Sequence, residues 1–386
     1  MRDPEHELAE LSEAGLRRHL RPVDAVDPPF LTVAGRRLLN FSSNDYLGLA
    51  AHPALQDAAA EGLQRHGSGS TASRLVCGSL RIHHELEETI ARLKGSEAAL
   101  AFSSGYAAAV GAVTALVRRG DTVILDKLCH ASLVDGARLS GATVRVYPHN
   151  KLDKLERLLA SARARSGGSQ RILVITESVF SMDGDRAPLE EIVTLKDRHD
   201  ALLLVDEAHA VGVLGPTGQG LAEELGVADR IDLQLGTLGK AVGSAGGYLA
   251  AKRSIIDLLV NKARSFIYST APPPAQAAAA RAGLELIAGP EGARLRERLW
   301  ERLRAFSGRA RLPAPASAIL PRVLGDNDAA LAAAAALLEA GFLVPAMRFP
   351  TVPRGTARLR ITISAAHGPE HLEALAKTLE NLQETA

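Results

Sequence analysis

Residues 201–209 (ALLLVDEAH) predict a buried strand that ends in charged residues. Five apolar residues come first, in a run that is flanked by glycine-rich loops and is too short for a typical helix. Such a run fits a strand that is covered on both faces. Open α/β sheets bind ligands at the carboxyl ends of their strands, so Asp206 is predicted to be a site residue.

A second apolar run, residues 231–235 (IDLQL), leads into a glycine-rich turn that carries Lys240. A carboxylate and a lysine at two strand ends are what a pyridoxal phosphate site needs. The amine can bond to the cofactor, and the acid can keep the ring nitrogen protonated. Two simpler explanations are open, since Asp206 would also serve as a helix cap and Lys240 as a solvated side chain.

The composition argues against several classes of protein. The 386 residues suffice for about two or three domains, and a formal net charge of +1 gives no footprint for nucleic acid or membrane. Cys77 and Cys129 show no disulfide or zinc pattern, so no metal site is predicted. The N-terminal sequence lacks the apolar core of a signal peptide, and no stretch reaches the roughly 18 apolar residues of a membrane span. We therefore expect a soluble, cytoplasmic protein.

Apolar runs of strand length alternate with amphipathic segments of helical length through the middle of the chain. The runs are residues 98–102, 122–125, 143–146, 172–175, 201–205 and 231–235. This alternation predicts an α/β fold with a large, doubly wound, mostly parallel sheet. Right-handed crossovers would place the ends of these strands along one edge.

Polar loops follow several of these runs. Residues 103–106 (SSGY) open a predicted helix, and free backbone amides at a helix start suit a phosphate group. Residues 126–132 (DKLCHAS) and 177–185 (ESVFSMDGD) follow two other runs. Because these loops share one sheet edge with Asp206 and Lys240, they strengthen the prediction of a site there.

Smaller units flank the large sheet. Leucines at helical spacing predict a helix within residues 5–20, and residues 30–41 predict a hairpin. The predicted domains are an N-terminal segment of residues 1–45, a large cofactor-binding domain of residues 46–287, and a small α+β domain of residues 288–386.

The small domain is predicted to contain strands near residues 318–324, 342–344 and 357–363, with a closing helix from Pro369. The last of these strands carries Arg358 and Arg360. A buried, unpaired arginine is costly, so a ligand carboxylate is an attractive partner, and a structural salt bridge is the alternative.

Taken together, these motifs give the chain a resemblance to the α-oxoamine synthases, which are pyridoxal phosphate enzymes of fold type I. The resemblance extends from residue 15 to Arg360. The motifs that carry it are FSSNDYLGL (41–49), FSMDGDRAPL (180–189), VDEAH (205–209), TLGK (237–240) and PTVPRGTARLR (350–360). The implied cofactor is pyridoxal 5′-phosphate.

The resemblance also implies roles for individual residues. Lys240 would bind the cofactor covalently and move the Cα proton, and Asp206 would pair with the ring nitrogen. His209 and Ser181 would form hydrogen bonds with the cofactor, His209 at its phenolic oxygen, and His130 would stack on its ring. The implied catalytic residues are Lys240, His130, Asp206 and His209. The residues implied to hold the phosphate are Gly105, Tyr106 and Thr237, with Ser269 or Thr270 from a second subunit.

On the substrate side, the resemblance implies that Asn44 and Arg360 bind the amino acid carboxylate, with His130 close by. Arg17 and Thr351 match positions that contact substrate in the family. The implied reaction joins L-alanine to a pimeloyl thioester in biotin biosynthesis, in a homodimer whose active site is shared between subunits. Alanine is favoured because Ser73 stands where glycine-using members tend to carry bulkier residues.

Three alternatives are weighed. Glycine-using members of the family, 2-amino-3-ketobutyrate CoA ligase and 5-aminolevulinate synthase, share the cofactor apparatus. A non-catalytic cofactor-binding scaffold would have the same motifs. Residues 206–209 also spell the DEAH box of a nucleic-acid NTPase, but Gly239 and Lys240 follow that box and do not complete a phosphate-binding loop.

Overall fold

The computed structural model of the chain describes residues 3–166 and 170–384. The N-terminal segment contains α1 (Pro4–Glu13), β1 (Ala25–Asp27), β2 (Phe30–Val33) and β3 (Arg36–Asn40). The predicted hairpin is confirmed, since β2 and β3 pair in antiparallel fashion. The predicted helix over residues 5–20 is too long, because Gly15 has a φ of +64° and the chain leaves the helix before it. Leu20, placed in that helix by its spacing, is 99% exposed.

The middle of the chain alternates strands and helices as predicted, from α2 to α11. The elements are α2 (Pro53–His66), α3 (Arg81–Lys94), β4 (Ala98–Phe102), α4 (Gly105–Leu116), β5 (Thr122–Asp126), α5 (Ala131–Leu139), β6 (Thr143–Tyr147), α6 (Leu152–Ser166), β7 (Ile172–Glu177), α7 (Leu189–Arg198), β8 (Leu202–Asp206), α8 (Leu221–Glu224), a 3₁₀ helix (Ala228–Arg230), β9 (Leu233–Thr237), β10 (Gly247–Ala251), α9 (Arg253–Lys262), α10 (Arg264–Ile267) and α11 (Pro274–Ala288).

The central sheet has seven strands in the order β4-β10-β9-β8-β7-β5-β6. All neighbours are parallel except β10, which runs antiparallel to both β4 and β9. The mostly parallel sheet is therefore confirmed, and β10 is the strand that sequence patterning missed. A side chain at Gly247 would lie 2.5 Å from the Cα atom of Gly105, so β10 begins pressed against the start of α4.

Strand β8 is covered on both faces, as its apolar sequence predicts. Leu203 and Val205 belong to one buried cluster, and Leu204 belongs to the cluster on the opposite face. Full burial of each such side chain stabilises the fold by about 1.5–3 kcal/mol. The strand end that carries Asp206 is therefore held rigidly in the middle of the sheet.

The C-terminal unit contains α12 (Pro290–Arg309), β11 (Ile319–Gly325), α13 (Asn327–Glu339), β12 (Phe342–Leu343), β13 (Ala346–Met347), β14 (Ala357–Thr362) and α14 (Pro369–Glu384). The three-stranded sheet of this C-terminal unit has the order β11-β14-β13. The strand predicted near residues 342–344 is present as β12, but it belongs to a different sheet. It pairs with β3 and completes a sheet with β1 and β2. The predicted domain boundaries stay predictions, and residues 1–2 and 385–386 of the two terminal domains lie outside the described residues. Within the described ranges, no helix has the length and apolar character needed to cross a membrane.

Candidate active site

The ends of β7 and β8 and the turn after β9 bring polar residues of the candidate site together. Glu177 at the end of β7 is the register partner of Asp206 at the end of β8. Asp206 is 7% exposed, and its Oδ1 atom accepts a hydrogen bond of 2.8 Å from the backbone N–H of Ala208. Burial raises the pKa of Asp206, while the charge of Lys240 acts in the opposite direction. Two buried carboxylates, Asp206 and Glu177, therefore act on the predicted lysine.

Lys240 follows β9 on a short turn and points its amine at His209. The distance from Lys240 Nζ to His209 Nε2 is 2.8 Å. Burial lowers the pKa of Lys240 to about 8, although the charges of Asp206 and Glu177 raise it. An amine in this environment has a substantial neutral fraction near neutral pH, as a nucleophile or a base requires.

A chain of hydrogen bonds connects Lys240 to Arg360. Burial and the neighbouring cations hold the pKa of His209 well below its ordinary value, so its ring is neutral. Since Nε2 accepts from Lys240, Nδ1 carries the proton and donates to the Tyr46 hydroxyl at 2.6 Å. That hydroxyl donates to Asn44 Oδ1 at 3.2 Å, which also accepts from two nitrogens of Arg360. Every group in the chain thus has a consistent donor or acceptor role.

The two strand arginines differ in their partners. Arg358 forms an ion pair of 2.5 Å with Asp183, as the structural alternative predicted. Arg360 is 4% exposed, and its partners are neutral oxygens of Asn44 and Ser181. Among the described residues, no carboxylate lies within ion-pair distance of its guanidinium. A buried cation with neutral partners suits a ligand carboxylate.

The start of α4 lies against the end of β9. A side chain at Gly105 would meet the Cβ atom of Thr237 at 3.6 Å, so these two predicted phosphate residues are adjacent. Thr237 Oγ1 accepts from the backbone N–H of Gly239 at 3.2 Å. Tyr106 is half exposed, and its hydroxyl donates to Asp135 at 2.8 Å. The N-terminal amides of α4 and the turn before Lys240 together form a surface suited to an anion.

His130 presents an exposed ring, while its backbone is anchored below. The backbone N–H of His130 donates to Glu177 Oε1 at 2.5 Å, and its Nδ1 lies 2.8 Å from Ser132 Oγ. Burial and the charge of Asp206 raise the pKa of Glu177 well above its ordinary value. Glu177 was not predicted as a site residue. Its position at the end of an apolar run could have indicated such a role, as it did for Asp206.

A cavity of about 820 Å³ opens beside this group and is lined by residues of the β5, β7 and C-terminal loops. Arg18 lines this cavity and donates to Thr351 Oγ1 at 3.4 Å. The predicted residue Arg17 instead donates to Ser12 Oγ, so the neighbouring arginine is the one that reaches the cavity. The role of Arg17 in contacting substrate stays a prediction.

Three predicted residues lie apart from this group. Ser73 and Thr270 pair in an isolated β-bridge, and Thr270 is exposed while Ser269 is half-buried. In the described part of the chain, none of the three forms a hydrogen bond with Lys240 or His209. Their roles at a site shared between two subunits stay predictions. Across the same residues, no group of three or more His, Cys, Asp or Glu side chains is arranged to hold a metal ion.

Known proteins resemble this chain over nearly its whole length. The family model described as aminotransferase class I and II matches residues 36–379. An 8-amino-7-oxononanoate synthase from Geobacter sulfurreducens is 50% identical over 95% of this chain and 94% of its own length. A protein of the same name from Anaeromyxobacter dehalogenans is 51% identical over 97% of this chain and 95% of its own. A solved serine palmitoyltransferase variant from S. paucimobilis, with a bound PLP–myriocin aldimine, has a TM-score of 0.92 at 30% identity, covering 99% of this chain and 96% of that one.

Proposed function

The chain belongs to the family of class I and II aminotransferases. From its similarity to 8-amino-7-oxononanoate synthases, we propose that it catalyses the decarboxylative condensation of L-alanine with a pimeloyl thioester. The products are 8-amino-7-oxononanoate, carbon dioxide and the free thiol, in biotin biosynthesis. The observation that carries the proposal is the hydrogen-bonded chain from Lys240 to Arg360. It joins an amine of lowered pKa to a buried cation that suits an amino acid carboxylate.

The polar groups of the site match those of pyridoxal 5′-phosphate. The aldehyde of the cofactor needs an amine, its ring nitrogen an acid, and its phosphate a set of backbone N–H groups. Lys240, the buried Asp206 and the start of α4 beside Thr237 provide these partners in one place. When bound, the cofactor supplies an electron sink that stabilises negative charge at the Cα atom of the amino acid.

Other residues of the site are proposed to hold the ring, the phenolic oxygen and the phosphate of the cofactor. His130 is proposed to stack on the ring with its exposed imidazole, while Glu177 fixes its backbone. Ser181 is proposed to donate to the phenolic oxygen, which is also proposed to form a hydrogen bond with Nε2 of His209. Gly105 and Tyr106 are proposed to hold the phosphate through backbone amides, with Ser269 or Thr270 from a second subunit.

Arg360 and Asn44 are proposed to bind the alanine carboxylate. This orientation directs the Cα–H bond toward Lys240, whose neutral amine removes the proton. The Cα atom then bonds to the thioester carbonyl carbon, and the thiol leaves. Loss of carbon dioxide and return of a proton complete the product. The cavity lined by Arg18 and Thr351 is proposed to receive the acyl chain.

Two experiments test the proposal. Borohydride reduction of the cofactor-loaded protein, followed by peptide mapping, should label Lys240, and a label elsewhere would overturn the site assignment. Thiol release should then be measured for glycine, alanine and serine, each with pimeloyl, acetyl, succinyl and palmitoyl thioesters. Preference for alanine with the pimeloyl donor is expected, whereas preference for glycine would identify one of the glycine-using reactions.

A homodimer and a cytoplasmic location are further parts of the proposal. The dimer is supported by exposed apolar side chains near the predicted shared residues: Val76 is 78% exposed and Tyr268 is 70% exposed. Exposed apolar patches of this kind are typical of protein interfaces. Light scattering coupled to size-exclusion chromatography should give twice the mass of one chain, and a monomeric active enzyme would contradict the shared site.

A further inference from the structure

His149, which follows β6, lies outside the groups described so far and bridges two carboxylates. Its Nδ1 atom lies 3.0 Å from Asp126 Oδ1, and its Nε2 atom lies 2.8 Å from Asp185 Oδ2. The next residue reinforces the bridge, because the backbone N–H of Asn150 donates to Asp126 Oδ2 at 2.9 Å. The side chain of Asp126 is fully buried, and that of His149 is 25% exposed.

Each carboxylate belongs to a different loop of the candidate site. Asp126 ends β5 and accepts a hydrogen bond of 2.8 Å from the backbone N–H of Leu128, at the start of the turn that leads to His130. Asp185 lies in the loop after β7, where its backbone oxygen accepts from Phe180 at 3.1 Å, next to Ser181. His149 therefore ties one loop to the other, together with Asn150, whose side-chain amide donates to Asp185 Oδ2 at 3.4 Å and to the Arg186 backbone oxygen at 3.2 Å.

The ring of His149 is held in both position and charge. Its edge packs against Phe180, with ring centroids 4.4 Å apart and an angle of 86° between the planes. Burial alone would lower the pKa of His149, but hydrogen bonds to Asp126 and Asp185 outweigh it and raise the pKa to about 10. Both ring nitrogens therefore donate, and each bond is a charge-assisted one.

We propose that His149 is a positioning residue, which sets the separation between the loop of His130 and the loop of Ser181. The two loops are those proposed above to contact the ring and the phenolic oxygen of the cofactor, so this inference rests on the proposed function. An error of about 1 Å in such a pair of contacts can cost on the order of a hundredfold in rate.

The test compares His149→Gln with His52→Gln. His52 is a matched control, because it also pairs with a carboxylate from another element, Glu291 at 3.2 Å, and its side chain is also 25% exposed. Both variants are titrated with pyridoxal phosphate. Cofactor affinity, the visible circular dichroism of the bound cofactor, kcat, KM and melting temperature are measured for each.

We expect His149→Gln to weaken cofactor binding by roughly tenfold or more and to change the visible circular dichroism. In His149→Gln we also expect a large fall in kcat and only a small change in the KM for alanine. His52→Gln should alter the melting temperature alone. If His149→Gln lowers the melting temperature but leaves cofactor affinity and dichroism at wild-type values, the residue is merely structural and the inference is wrong. Absence of cofactor binding by the wild-type protein would instead overturn the proposed function.

A second variant keeps the test decisive if His149→Gln folds poorly. Asp185→Asn removes one ion pair and leaves the contact between His149 and Asp126 in place. The same spectroscopic change is expected, in weaker form. Because the two residues act through one contact, the double variant should be no worse than His149→Gln alone, and simple addition of the two effects would contradict the inference.

Discussion

Asp206 and Glu207 are neighbours in the chain, yet they serve opposite faces of the central sheet. Along β8, Leu204 faces one buried cluster while Leu203 and Val205 face the other. Continued alternation sends Asp206 to the face of Leu204, and its charge acts on Lys240 at the end of the sheet. Glu207 points the other way, to an ion pair of 2.5 Å with Lys94 of α3. Two adjacent buried acids therefore have unrelated roles.

The two buried lysines make the same contrast. Lys94 is 1% exposed and bonds to Glu207 Oε2 and to the backbone oxygen of Gln219, both at 2.5 Å. Lys240 bonds to the neutral ring of His209. The Lys94–Glu207 pair thus satisfies its charge internally, whereas the candidate site leaves an amine, two acids and an arginine without matched partners. Unmatched buried charge is the feature that distinguishes a site from a core.

The largest expected effect comes from Lys240→Ala. Because this amine is proposed both to bind the cofactor and to move the Cα proton, we expect turnover to fall by roughly a thousandfold or more. Stability should be kept, since a desolvated amine is removed. Thiol release and thermal unfolding measure the two properties. Lys262→Ala, an exposed position at the end of α9, is the control and should match wild type in both. Turnover within tenfold of wild type would remove Lys240 from the mechanism.

The Lys94–Glu207 ion pair should respond in the opposite way. Lys94→Met leaves Glu207 buried and unpaired, so we expect the free energy of unfolding to fall by about 3–5 kcal/mol. The rate per folded molecule should stay close to that of wild type. Denaturant unfolding measures the loss.

A compensating variant tests the reason for that loss. Lys94→Met combined with Glu207→Gln removes the uncompensated charge, so it should recover part of the stability. An unchanged unfolding free energy in Lys94→Met would mean that the pair is not a determinant of the fold.

Local patterns in the sequence were sufficient to predict one side of this contrast. Asp206 and Lys240 lie at or just beyond the ends of apolar runs, and an acid or amine there is visible in the sequence. The role of His209 was implied only by the family resemblance. The pairing of Glu207 with Lys94 was not predicted, because the two residues are 113 positions apart. Strand β10 was missed because its sequence, GYLAA, is short and rich in small residues. Its place between β4 and β9 is determined by close backbone packing.

A smaller effect is expected from Asp206→Asn on the amine itself. The negative charge of Asp206 raises the pKa of Lys240 against the lowering effect of burial. Its removal should therefore lower that pKa further below about 8, so the amine becomes neutral at lower pH. The pKa of Lys240 in the wild type and in the variant can be measured by labelling the cofactor-free protein with trinitrobenzenesulfonate across pH, followed by mass spectrometry. Asp232→Asn is the control, because Asp232 lies just before the first residue of β9, at the end of the strand away from Lys240. It should leave the pKa of Lys240 unchanged. A rise in the Asp206 variant would contradict the assigned electrostatics.

The smallest effect concerns two buried tyrosines. Tyr46 donates and accepts hydrogen bonds within the chain from Lys240 to Arg360, at 2.6 Å from His209 and 3.2 Å from Asn44. The hydroxyl of Tyr248 is buried and has no hydrogen-bond partner among the described residues. A hydrogen bond of this kind contributes about 1 kcal/mol, so Tyr46→Phe should lower kcat/KM roughly fivefold. Tyr248→Phe should leave kcat/KM unchanged and preserve or raise stability, because it removes an unsatisfied polar group. Equal loss of activity in both variants would mean that the ordered chain of hydrogen bonds does not position Lys240. The contrast between the candidate site and the Lys94–Glu207 pair would then rest on charge alone.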